Sequence, residues 1–242
     1  MKKISKIIGF LSVLLIGQVA LAHGYWVETK RNGKINQPQE VKVYFSEPND
    51  TPEPTNGEEW AMVKDFTLYV ISPSGIKTAL TTTIKPDYYG ASFTPKELGN
   101  YFVILESTDL AVMEPGKKHA FIPIFYATSL VEVGEVDAKE KPINVLDYVP
   151  MGVYAQIKKG RKGESLNYTF KNKENTKFMT TIITPNGQRL QVNGTPESFN
   201  ISDFEKGTYT TQMMIIEKTN GSKNGEVYNT VYHIATSRFV IE

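Results

Sequence analysis

The sequence predicts an all-β fold: two immunoglobulin-like β-sandwich modules in tandem behind a signal peptide. Three observations carry that expectation, namely strand-type runs without helical periods, an ordered internal repeat and an export leader. Residues 66–71, 101–105, 209–216 and 231–241 are rich in aromatic and β-branched side chains, the composition of strands. Turn chemistry separates them at Ser72-Pro73-Ser74-Gly75, Thr184-Pro185-Asn186-Gly187, Lys206-Gly207 and Asn220-Gly221, where Pro and Gly set the backbone of tight turns. No segment after the leader keeps a clear 3.6-residue apolar period. Short strands at such spacing indicate β-sandwiches.

The repeat gives the domain organisation. Residues 66–80 align with 178–192 and share Phe, Ile, Pro and Gly at matching places. Residues 93–101 echo 199–209, each closing on Gly-x-Tyr, and Ala127-Thr128-Ser129 recurs as Ala235-Thr236-Ser237. Three matches in the same order predict two copies of one module, residues 23–134 and 142–242. The charged, strand-poor stretch from Gly134 to Lys141, ahead of Pro142, suits a linker.

The first 22 residues read as a leader. Lys2, Lys3 and Lys6 precede an apolar run over residues 7–19 and then Ala20-Leu21-Ala22, the order of a secretory signal peptide cleaved after small-x-small. The run falls short of the about 20 apolar residues that span a bilayer, and no later stretch is longer. The expected compartment is the periplasm or the exterior, with no membrane span in the mature chain. Cysteine is absent, so neither a lipoprotein anchor nor a disulfide framework exists, and an apolar core must hold the fold. Losing the leader leaves 24 basic against 26 acidic side chains. No basic face follows from that balance, which argues against nucleic acid as partner.

Chemistry is confined to few residues. Cleavage after Ala22 exposes an α-amine on His23 beside its imidazole, and two such nitrogens chelate a divalent transition metal. His119, in Gly116-Lys117-Lys118-His119 at the entry to an apolar strand, and His233, in the last strand, are the other histidines. Their alternative readings are a solvated turn residue and a half-buried structural histidine. The acidic loop that begins at Glu47 and ends in Glu58-Glu59-Trp60 offers hard oxygen ligands or is simply an exposed Pro-rich loop. On a strand, Glu58 and Glu59 would face opposite ways. Enzyme signatures such as Gly-x-Ser-x-Gly, His-Glu-x-x-His and a phosphate-binding Gly-Lys-Ser/Thr loop are missing.

The start Ala22-His23-Gly24-Tyr25-Trp26-Val27-Glu28-Thr29 resembles that of a family of exported β-sandwich proteins described as the periplasmic component of cobalt/nickel uptake. Further matches are Val43-Tyr44-Phe45-Ser46-Glu47, the strand from Tyr126 to Gly134, Leu146-Asp147-Tyr148-Val149-Pro150 and Ser237-Arg238-Phe239. The resemblance implies a two-part sandwich protein that handles a transition-metal ion near the membrane; the function expected here is capture and delivery of nickel, cobalt or copper, not catalysis, with a membrane metal transporter as the expected partner. His23 carries over directly, and Glu47 stands where the family often has histidine. The expected metal ligands are therefore His23 with His119, His233 or Glu47. Two other classes stay open. One is a non-metal interaction or assembly module, which exposed aromatics at Trp60, Tyr88 and Tyr89 would serve. The other is a copper enzyme with a terminal-histidine brace, which needs a second histidine opposite His23.

Overall fold

A computed structural model describes residues 23–47, 50–134, 143–157, 164–170, 178–193, 198–200 and 205–241. The expected leader and all but the first residue of the expected linker lie outside them. In the first repeat the strands are β1 (Gly24–Thr29), β2 (Asn32–Gly33), β3 (Gln39–Ser46), β4 (Thr67–Ile71), β5 (Lys77–Ala79), β6 (Thr83–Ile84), β7 (Tyr89–Phe93), β8 (Gly99–Ser107) and β9 (Phe121–Val133). One short helix, α1 (Glu58–Val63), interrupts them. In the second repeat they are β10 (Met151–Ile157), β11 (Glu164–Phe170), β12 (Phe178–Ile183), β13 (Arg189–Asn193), β14 (Ser198–Asn200), β15 (Gly207–Lys223) and β16 (Glu226–Ile241). The chain is all-β with sheets stacked as in immunoglobulin-like sandwiches.

The repeat is written into the register. Leu68 pairs with Leu105 and Ile71 with Phe102; at equivalent places Thr180 pairs with Met213 and Ile183 with Thr210. Val103 faces Ser129 as Thr211 faces Ser237. The two Pro-x-Gly turns also match. Gly75 N–H donates to the Ser72 carbonyl at 2.8 Å and Gly187 N–H to that of Thr184 at 2.9 Å. Both glycines hold positive φ, 84° and 82°, a conformation that costs a Cβ-bearing residue about 1–2 kcal/mol.

The two repeats are joined edge to edge through one sheet. β9 and β16 pair in parallel from Thr230–Phe121 to Ser237–Thr128, giving one sheet in the order β13-β12-β15-β16-β9-β8-β4-β5, with β2 on the free end of β9. The order is a palindrome of equivalent strands. Pairing is offset by one residue, Thr236 opposite Ala127 instead of Thr128, and side chains alternate faces along a strand. Equivalent residues therefore face opposite sides of the shared sheet. Tyr101, Val103 and Leu105 join the core under β1-β3-β7-β6. Tyr209, Met213 and Phe239 join the opposite core with Val149 and Met151, where the sheet β10-β11-β14 lies. Being covered on both faces, β8 reads Tyr-Phe-Val-Ile-Leu without polar alternation, as expected of doubly buried strands.

Candidate functional site

His23 stands at the entry to β1, with its ring stacked on buried Phe45 at 5.8 Å between centroids. Its Nε2 lies 3.4 Å from Glu53 Oε1 and 3.3 Å from Glu59 Oε2, and the three ligand atoms lie within 4.8 Å of one another. Among the described residues this is the one group of three or more potential metal-ligating side chains.

The core positions each carboxylate. Glu53 N–H donates to the Phe45 carbonyl at 3.0 Å, and Trp60 Nε1–H donates to the Glu53 carbonyl at 3.0 Å. Glu59 rides on α1, whose Trp60 and Val63 are buried. The Tyr25 hydroxyl, fully buried, donates to the Val63 carbonyl at the end of the same helix. Burial pushes that phenol far above its ordinary range. One imidazole nitrogen and two carboxylate oxygens form a mixed donor set that suits a divalent ion of borderline hardness.

The other expected ligands lie elsewhere. His233 faces away from His23 because strand alternation decides its side. Thr236 donates to the Tyr25 carbonyl at 2.6 Å and Ile234 packs in the same core as Tyr25. His233, one residue out of step, points to the opposite face and pairs with Glu217 at 3.1 Å. Glu47 follows Ser46, the partner of Gly24, yet its carboxylate is directed to Arg189 at 3.9 Å. His119 stays exposed in the turn ahead of β9. Carboxylates, not a second histidine, face His23, contrary to what a copper brace needs.

Two further expectations are corrected. Glu58 and Glu59 lie on a helix, so only Glu59 reaches His23. The loop aromatics are not exposed either: Trp60 is 1% exposed, Tyr89 packs on it at 4.8 Å, and Tyr88 is half-buried against Tyr44. Trp60 is thus the anchor of the acidic loop. The regular sequence signal for this was present: an aromatic residue directly after the two glutamates.

A second feature lies apart from His23. Past Ser237–Thr128, β9 and β16 diverge and leave an open groove of about 620 Å³ between the repeats. Four cations and two carboxylates line it: Lys30, Arg31, Lys42 and Arg238 against Glu28 and Glu40. Arg238 reaches Glu28 at 3.0 Å across the repeats, and Arg31 forms a two-pronged pair with Glu132 at 2.9 and 3.0 Å.

No protein-family model matches the chain, and no curated protein does. Among solved structures, the BSP domain of a biofilm-associated protein aligns at 12% identity and a TM-score of 0.23 over 88% of this chain and 29% of that one. A two-domain fibronectin type-III segment of chicken tenascin aligns at 12% identity and 0.23, over 86% and 95% of the respective chains. A Salmonella alpha-2-macroglobulin mutant aligns at 9% and 0.30, over 88% of this chain and 15% of that one. Likeness at this level carries no functional argument, and the sandwich assignment rests on the sheets themselves.

Proposed function

We propose that this chain is an exported, non-catalytic interaction module that holds another polypeptide at the junction of its two repeats. The observation that supports this is the seam: two repeats share one sheet, and where their strands part they leave a charged groove of about 620 Å³. That volume is in the range of ligand-binding clefts. Fold alone does not give function, so the reading rests on this groove and not on immunoglobulin-like architecture. Native mass measurement of the untagged protein from the periplasmic or culture fraction tests it. The expected result is a complex heavier than the mature monomer and not a multiple of it; the free monomer alone contradicts the reading.

A second reading follows from the convergence of His23, Glu53 and Glu59. In it, the mature chain binds nickel or cobalt through these side chains and the His23 α-amine, for uptake or delivery by a membrane metal transporter. Copper fits less well, because two of the side-chain donors are hard carboxylates. The resemblance of the mature start to the cobalt/nickel-uptake family supports the same reading. It requires processing between Ala22 and His23. Intact mass of the exported protein checks that, and a mature terminus elsewhere removes the amine donor.

A further inference from the structure

The two equivalent strand ends beyond the seam are finished differently. On β9, Glu132 and Val133 pair with Asn32 and Gly33 of β2, and Glu132 N–H donates to the Arg31 carbonyl at 2.7 Å. β16 ends in residues 238–241, paired with β15 on one side, Arg238 with Thr210 through Ile241 with Gly207. On the other side, toward the groove, no strand pairs with them among the described residues. The first repeat closes its own edge with β2, and the second leaves the same edge open.

An open edge presents alternate N–H and C=O groups to any chain that can lie along it. From this asymmetry we infer that the groove takes an extended acidic peptide segment, which adds as a strand along residues 238–241. Main-chain bonding supplies affinity in such strand addition, and flanking side chains select the sequence. Charge selects the occupant. Of the four lining cations, Arg31, Lys42 and Arg238 already face carboxylates of Glu132, Glu40 and Glu28, and Lys30, exposed and with no ion-pair partner among the described residues, carries the free positive charge. Arg238 spends one guanidinium nitrogen on Glu28, while its buried Nε has no hydrogen-bond partner among the described residues. This assignment rests on the interaction-module reading and gives that module a ligand chemistry.

The test uses the mature full-length chain and two fluorescein-labelled octapeptides, one alternating Glu and Thr, the other Lys and Thr. Fluorescence anisotropy is expected to show binding of the acidic peptide, about tenfold or more tighter than the basic one. Lys30→Glu should weaken it by a similar factor with the thermal midpoint unchanged. Hydrogen exchange should slow at residues 238–241 on binding and stay unchanged at the other sheet edge, residues 77–79. No binding, binding without protection at residues 238–241, or equal protection at both edges overturns the inference. Concentration-dependent protection of residues 238–241 in the protein alone also overturns it, in favour of a second copy as occupant. A failure here, with the native complex still observed, removes the peptide assignment and leaves the interaction module standing.

Discussion

Tyr101 and Tyr209 hold the same post in the two repeats: each phenol donates to the carbonyl four residues earlier, Tyr101 to Glu97 at 3.1 Å and Tyr209 to Glu205 at 2.9 Å. The two rings nevertheless enter opposite cores, because the parallel seam inverts one repeat relative to the other. This pair of contacts therefore reports both the internal repeat and the inversion that joins its copies.

The Tyr101 hydroxyl should be worth more than a single hydrogen bond. Tyr101 also accepts from the backbone N–H groups of Lys96 at 3.1 Å and Glu97 at 3.0 Å. Removing a hydroxyl costs about 1 kcal/mol for a hydrogen bond lost, and more when donors are left without a partner. Tyr101→Phe should thus destabilise by about 1–3 kcal/mol, measured by urea unfolding.

At the seam, Gly33 lets β2 lie close on β9: a Cβ there would stand 2.8 Å from Val131 Cγ1 and 3.0 Å from Val133 Cγ2. Gly33→Ala should cost about 1–3 kcal/mol through overpacking. It should also speed hydrogen exchange at Glu132 and Val133, and an unaltered exchange rate would place β2 elsewhere.

In the metal-binding reading the side-chain ligands are His23, Glu53 and Glu59. Glu53→Gln and Glu59→Gln should each weaken nickel or cobalt binding by about tenfold or more, whereas Glu47→Gln, His119→Ala and His233→Ala should leave it unchanged. Calorimetric titration of the processed protein checks this; affinity insensitive to both Glu substitutions removes the site.

Alkaline stability follows from buried phenols. Burial pushes the Tyr126 hydroxyl up to about 12. Burial and the neighbouring Glu106 carboxylate raise Tyr69 still further, and Tyr25 is raised as well. A folded-state pKa above the unfolded one gives stability that is full below the unfolded value, near 10, and is lost as pH rises through the folded value. Unfolding midpoints should accordingly be flat up to about pH 9 and drop between about pH 10 and 12.

The sequence made one kind of order visible and hid another. Pro-x-Gly turns and Gly-x-Tyr starts are local, so the repeat and its strands were readable from Phe66 to Ser237. The seam between β9 and β16 is long-range and carries no local signal beyond doubly apolar runs such as Tyr101 to Leu105. The site divides the same way. His23 stood out because of the cleavage pattern, but its neighbours depend on which face each strand residue takes. His233 comes back to β1 in the last strand and still points away, out of phase by one residue. Glu53 and Glu59 lay in an acidic loop that reads as solvent-exposed until Trp60 is seen to pin it to the core.

The interaction-module account is tested most directly by photo-crosslinking in the exporting cell. A benzophenone amino acid at Lys30, in the groove, is compared with one at Lys118, in the exposed turn before β9. The account predicts a discrete adduct of higher mass from position 30 and none from position 118. Adducts of equal yield from both positions, or none from either, would contradict it.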